Sequence, residues 1–214
     1  MRDYTKIIYT NIMNYKVSDS DCQRLIYEAK YKKIPEVLLS PSSLEPMQEL
    51  LGDYPGKKSV SVSYPAGACY PENKAYEMKT LLERFPWIDA FYAVPAMGRF
   101  LSGKIAESRQ EVQMLAAAAQ GKRLYLLLEA ASFTTEQLEQ YVAFACENAV
   151  TGIAVGSGFD KYELPFPTPE TVRRVASFCG EKLEVIAPGM EANGFTEEEW
   201  IAAGASRIFL SGLG

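Results

Sequence analysis

The chain has 214 residues, of which 48% are hydrophobic and 12% aromatic, and its formal net charge is −5. This composition predicts a well-buried core in a single domain spanning residues 1–214, and the negative charge argues against nucleic acid or an anionic membrane as a partner. The sequence contains no histidine, which excludes Ser-His-Asp and Cys-His catalysis and most zinc sites.

Strands and helices are predicted to alternate along the whole chain. The first half contains a strand at 6–13, a helix at 18–33, a strand at 36–40, a short helix at 43–51, a strand at 59–64, a helix at 73–85, a strand at 87–94 and a helix at 102–120. The second half contains a strand at 123–129, a helix at 134–150, a strand from 152, a helix at 168–180, a strand at 183–188, a short helix from 196 and a strand at 207–211.

This alternation predicts a parallel sheet, because each strand needs a crossover helix before the next parallel strand. Eight such strands indicate a (β/α)8 TIM barrel with its ligand site at the carboxyl ends of the strands. The alternative is a doubly wound open sheet, but residues 10–13 (Thr-Asn-Ile-Met) replace its glycine-rich fingerprint after the first strand. The closing eighth helix is absent, and the thin cover that this leaves suggests an oligomer.

The four cysteines are scattered without CxxC spacing, which predicts reduced thiols: Cys22, Cys69, Cys146 and Cys179. The first residues lack an apolar signal region, and no apolar run reaches the length of a membrane span. These features predict a cytoplasmic protein with no membrane partner.

Small residues follow the last three predicted strands. Backbone amides in such turns can approach an anion closely and hold a phosphate. The candidate phosphate-binding residues are Ser157, Gly158, Gly189, Ser211 and Gly212. Tight turns without any ligand use the same residue types.

Several short motifs occur in an order and spacing that one family shares. They are Val62-Ser-Tyr-Pro-Ala-Gly-Ala68, Ile88-Asp-Ala-Phe91 with Ser102-Gly103, Leu128-Glu129, Gly156-Ser-Gly-Phe159 and Ala203-Gly-Ala-Ser-Arg-Ile208. This order resembles the deoxyribose-phosphate aldolase (DeoC) family over nearly the whole chain. The resemblance implies a TIM-type barrel, usually dimeric, and a class I aldolase that acts on an aldehyde through a lysine Schiff base. It also implies a phosphate held at the last strands; we expect no cofactor.

The residues at the family's lysine positions differ. The resemblance places Ala154 where the imine-forming lysine stands and Ile186 where a second lysine lowers the pKa of the first. An imine needs a primary amine, so neither residue can form one, and by strand alternation both would fill the barrel core. Tyr125 stands at the fifth strand's usual lysine. Asp89 matches the family's proton-relay aspartate, and Glu129 matches the glutamate that ends the fifth strand.

The candidate catalytic residues are therefore Asp89, Glu129 and Lys161. Lys161 follows the sixth strand and Lys104 follows the Ser102-Gly103 turn, although a solvated surface lysine is the simpler interpretation of each. Asp89 has the alternative of a buried carboxylate paired with a tyrosine or an amide. The two carboxylates are also suited to a divalent ion, but no histidine joins them, so we predict no metal.

Tyrosines occur on four early strands: Tyr9, Tyr64, Tyr92 and Tyr125. They are either pocket residues that stack on a ligand ring, as we expect for Tyr9 and Tyr125, or ordinary core aromatics.

Three functions remain open from the sequence. The first is an aldolase-family lyase that uses a relocated lysine or a metal. The second is a barrel without the usual aldolase activity that binds a small phosphorylated sugar or aldehyde, or senses such a metabolite. The third is a scaffold whose thin eighth unit packs against a partner. We favour a divergent aldolase-type homodimer that binds a small phosphorylated metabolite.

Overall fold

The computed structural model describes residues 4–14, 16–158, 165–189 and 194–211. It contains eight strands, β1 Ile7–Thr10, β2 Glu36–Leu39, β3 Lys57–Val62, β4 Ala90–Ala93, β5 Arg123–Leu127, β6 Gly152–Ala154, β7 Glu184–Pro188 and β8 Arg207–Ser211. All neighbouring strands pair in parallel, in chain order, and β8 pairs back onto β1. The barrel is therefore closed, which confirms the (β/α)8 fold and excludes the open sheet.

Helices connect the strands on the outside of the barrel. They are α1 Asp19–Tyr31, α2 Gln48–Gly52, α3 Pro71–Arg84, α4 Met97–Leu101, α5 Ile105–Ala118, α6 Thr135–Cys146, α7 Pro169–Cys179 and α8 Glu197–Ala202. The helix predicted at 102–120 is α5, and the short helix α4 before it was not predicted. Gly103, whose φ is +76°, lies between the two. No helix follows β8 within the described residues. None of the helices in the described ranges has the length and apolar character needed to cross a membrane.

Capping residues explain where several helices begin. The side chains of Ser18, Thr134, Thr168 and Thr196 each accept a hydrogen bond from the backbone N–H three residues ahead, and each is part of a reciprocal capping box. Such a box satisfies two of the amides that a helix start leaves without partners. The caps at Ser18 and Thr134 agree with the predicted starts of those two helices.

The strands separate two apolar layers, because successive side chains point to opposite faces. One layer packs between strands and helices, and the other fills the barrel. The inner cluster consists of Ile8, Ile12, Leu38, Ala90, Tyr92, Val94, Tyr125, Leu127, Ala154, Ile186 and Phe209. Ala154 and Ile186 are fully buried within it, as strand alternation predicts.

A charged network closes the amino-terminal end of the barrel interior. Arg207, at the start of β8, donates to the carboxylates of Glu36 and Glu184 and, over 2.6 Å, to the hydroxyl of Tyr125. Tyr92 donates to the Glu36 carboxylate over 3.0 Å. Burial raises the pKa of both tyrosines, so their hydroxyls stay protonated. The charges of the barrel interior therefore lie at the end opposite the expected ligand site.

Candidate functional site

Four of the predicted site residues lie at the carboxyl ends of neighbouring strands. Glu129 follows β5, Ser157 follows β6, Gly189 follows β7 and Ser211 is the last residue of β8. Since all strands are parallel, these ends meet at one rim of the barrel, where ligands of this fold bind. The structure thus brings these residues to one end of the barrel.

Glu129 and the turn after β6 are joined directly. The backbone N–H of Ser157 donates to Oε1 of Glu129 over 3.0 Å, and the hydroxyl of Tyr64 donates to the carbonyl oxygen of Ser157 over 2.9 Å. Ser157 is only 4% exposed. An amide that was expected to hold a phosphate is therefore already bound to a carboxylate, whose charge would repel an anion.

The other oxygen of this carboxylate is unsatisfied. Oε2 of Glu129 is buried and has no hydrogen-bond partner among the described residues. A buried acceptor without a donor costs about 1–3 kcal/mol. Oε2 of Glu129 is therefore an acceptor, next to the turn after β6, that an added hydrogen-bond donor would satisfy.

Two glycines of the rim are required by packing. Gly158 has φ +77°, and a Cβ there would lie 2.0 Å from the Sδ of Met13. A Cβ on Gly189 would lie 2.1 Å from Cγ2 of Ile208 and 2.4 Å from the carbonyl oxygen of Phe209. Close packing thus accounts for both glycines without a ligand.

Asp89 lies at the opposite end of the barrel. It precedes the first residue of β4, and its carboxylate accepts the backbone N–H of Lys58 over 2.8 Å. It is therefore separated from Glu129 by the length of the strands. Within the described ranges, no three acidic or cysteine residues come together as ligands for a metal ion.

The tyrosines occupy three different environments. Tyr9 lies on the outer face of β1, where its hydroxyl donates to Glu28 over 3.2 Å and accepts from Lys32 over 3.1 Å. Tyr125 is inside the barrel and stacks on Tyr92, with ring centroids 4.5 Å apart. Neither ring lies at the rim; of the four tyrosines, only Tyr64 contacts the turn after β6.

Two candidates, Lys161 and Gly212, lie outside the described residues. Lys104 is exposed at the start of α5. Lys74 is the one fully buried lysine among the described residues, and it pairs with Glu111 between α3 and α5. The link between Tyr64 and Ser157 was not predicted, because it joins loops 93 residues apart in the sequence and no local pattern signals it.

Comparison with known proteins finds relatives that cover most of the chain at low sequence identity. No family model matches the chain. Deoxyribose-phosphate aldolase from Clostridium botulinum (strain Okra / Type B1) is 24% identical over 204 residues, covering 95% of this chain and 94% of that protein. The enzyme of the same name from Carboxydothermus hydrogenoformans is 28% identical over 194 residues, covering 88% and 82%.

A solved structure shares the fold. The deoxyribose phosphate aldolase of Aeropyrum pernix, described as a tetramer, has a TM-score of 0.83 at 22% identity, covering 98% of this chain and 87% of that one. This likeness extends over the whole barrel and agrees with the sequence relatives. The chain is therefore similar over most of its length to proteins named deoxyribose-phosphate aldolase, and it shares the barrel fold of a solved one.

Proposed function

We propose that this chain binds a small phosphorylated sugar or aldehyde at the carboxyl-terminal rim of its barrel. The observation that carries the proposal is the Glu129 carboxylate at the rim, with one oxygen bound to Ser157 and the other without a donor. A sugar hydroxyl supplies the missing donor. The names of the sequence relatives support a phosphorylated sugar as the ligand class.

We place the phosphate on the far side of the same rim, near Gly189, Ser211 and Gly212. A negative charge beside Glu129 is unfavourable, and the amide of Ser157 is already occupied. The turn at Ser157 and Gly158 then serves as the wall that positions Glu129.

We further propose that the usual Schiff-base reaction does not proceed at the family's lysine positions. Ala154 and Ile186 carry no amine, and both are fully buried in the inner cluster. Lys161 is the candidate for a relocated amine. Borohydride reduction in the presence of deoxyribose 5-phosphate, followed by intact mass spectrometry, should give no covalent adduct. An adduct mapped to any lysine would overturn this part of the proposal, and Lys161→Met would then identify or exclude that residue.

We also propose a single domain over residues 1–214 that acts as a homodimer in the cytoplasm. The four cysteines are free thiols, as expected in a reducing compartment. The described oligomer of the Aeropyrum pernix protein supports self-association.

Ligand binding is tested by thermal unfolding. Deoxyribose 5-phosphate at about 100 times its Kd should stabilise the protein by about 2.7 kcal/mol, whereas unphosphorylated deoxyribose and inorganic phosphate should each stabilise it less. No shift with the sugar phosphate at millimolar concentration would contradict the proposed function.

Replacing Glu129 with glutamine should weaken binding of deoxyribose 5-phosphate about tenfold, equivalent to about 1.4 kcal/mol. The amide oxygen can still accept the Ser157 N–H, but the unsatisfied acceptor becomes an N–H donor. Titration calorimetry measures the change, and Glu107→Gln, at an exposed ion pair with Arg99, is the matched control. Equal affinity in both variants would show that the sugar does not contact Glu129.

A further inference from the structure

Two exposed tyrosines lie on helix α1. Tyr27 and Tyr31, one turn apart on α1, are 58% and 87% exposed. The other large hydrophobic side chains exposed among the described residues are Tyr70, Tyr76 and Leu101. Aromatic side chains are enriched at protein interfaces relative to the remaining surface, so the exposed face of α1 is a candidate contact surface.

A groove lies beside this face of α1. Its volume is about 610 Å³ and its lining residues are Gln23, Tyr27, Glu45, Pro46, Gln48, Glu49 and Leu50. It therefore separates α1 from the segment that leads into α2. Tyr27 belongs both to the exposed pair and to the wall of the groove, which makes the two features one continuous surface. We call it the α1–α2 surface.

The α1–α2 surface carries one unpaired charge of each sign. Lys30, three residues after Tyr27, and Glu49, in the groove, are exposed, and neither forms an ion pair with a described residue. The neighbouring charges are paired, since Arg24 contacts Asp21 and Glu45 contacts Arg84, each over 2.8 Å. Lys30 and Glu49 therefore remain available for a partner.

We propose that a second copy of this chain docks on the α1–α2 surface about a twofold axis. In a twofold contact the same patch of both copies forms the interface. A positive charge on one copy can therefore face the negative charge on the other. Lys30 of each copy then pairs with Glu49 of the other, and the tyrosines pack between them. This inference rests on the homodimer proposed above and not on the ligand site.

The face beside β8 is a weaker candidate for self-association. No helix follows β8 within the described residues, but on α8, which precedes β8, Trp200 is 1% exposed and packs edge-to-face on Phe195. No large hydrophobic side chain is exposed on the described parts of α7 and α8. Exposed aromatic side chains therefore favour the α1–α2 surface over the β8 face as the site of self-association.

Sedimentation velocity on the full chain tests the interface. The wild-type protein should be a dimer at micromolar concentration. Lys30→Glu and Glu49→Lys should each raise the dimer Kd about tenfold, because one substitution creates two like-charge contacts in a twofold interface. The double variant, which exchanges the two charges, should restore the wild-type Kd at low salt.

Two further variants separate packing from charge. Tyr31→Ser should also raise the dimer Kd, and its 87% exposure means that the fold does not depend on it. Tyr76→Ser, at a position 73% exposed on α3, is the control and should leave the Kd unchanged. A wild-type dimer unaffected by all substitutions on the α1–α2 surface would overturn the interface while leaving the homodimer intact. A monomer at about 100 μM would overturn both, and ligand-induced stabilisation would still test the ligand site separately.

Discussion

Replacing Arg207 with methionine should lower the free energy of unfolding by about 3–5 kcal/mol. Glu36 is fully buried inside the barrel and receives its charge-neutralising hydrogen bond from Arg207. Without Arg207, Glu36 keeps the hydroxyls of Ser59 and Tyr92 as hydrogen-bond donors, at 2.6 Å and 3.0 Å, and a longer ion pair of 3.6 Å with Arg123. Two neutral hydrogen bonds and an ion pair without a hydrogen bond compensate a buried charge only in part, so the loss exceeds that of an ordinary surface ion pair.

Urea unfolding monitored by circular dichroism measures this change. Arg109→Met, which removes an exposed guanidinium paired with Glu147 over 2.6 Å, is the matched control and should cost less than about 1 kcal/mol. Equal losses in the two variants would show that the Glu36 carboxylate is compensated elsewhere.

The sequence predicts the order of the elements well, because strand periodicity and helix caps are local signals. It predicts their bounds less well where a charged residue takes part in pairing. Lys57 and Lys58 begin β3 and pair with Glu36 and Val37 of β2, two residues before the predicted start. Their hydrophilic side chains do not predict a buried strand, because hydrogen bonds to β2 and not apolar side chains fix where β3 begins.

The main limit in predicting the site from the sequence is the direction in which each strand side chain points, into the barrel or toward the helices. A shift of one residue moves every side chain on a strand to the opposite face. Where two consecutive residues are both apolar, the sequence does not show which of them points into the barrel. Phe91 and Tyr92 are both aromatic; Tyr92 lies inside the barrel and Phe91 outside, which leaves Asp89 outside as well. Ile7 and Ile8 give the same ambiguity. Ile8 lies inside the barrel, whereas Ile7 and Tyr9 lie on the outer face. Tyr9 would point inward only if Ile7 did.

The contact between Glu129 and Ser157 lies beyond local signals for another reason. Its partners are 28 residues apart, and the geometry depends on how the loops after β5 and β6 meet. The resemblance to a family marks both residues but does not say that one binds the other. The structure supplies that contact, and with it the interpretation of the Ser157 turn as a wall that holds a carboxylate.

The buried pair of Lys74 and Glu111 was not predicted, although the sequence contains a signal for it. Lys74 lies four residues before Met78 and seven before Leu81, on the apolar stripe of α3, and all three side chains are buried. A lysine on such a stripe must find an acidic partner or a carbonyl. Its ammonium donates to Glu111 over 2.5 Å and to the carbonyl oxygen of Val94 over 2.9 Å.

Replacing Lys74 with methionine should therefore cost about 3–5 kcal/mol of unfolding free energy, because it leaves the Glu111 carboxylate, whose side chain is 3% exposed, without a counter-charge. The backbone N–H of Ala96, at 3.0 Å, is the donor that Glu111 retains. The double variant Lys74→Met with Glu111→Leu should recover most of the loss, since an apolar pair of similar volume replaces both charges. Arg84→Met, at an exposed pair with Glu45, is the control. A double variant no more stable than Lys74→Met alone would show that packing and the Val94 contact, rather than the unpaired carboxylate, determine the cost.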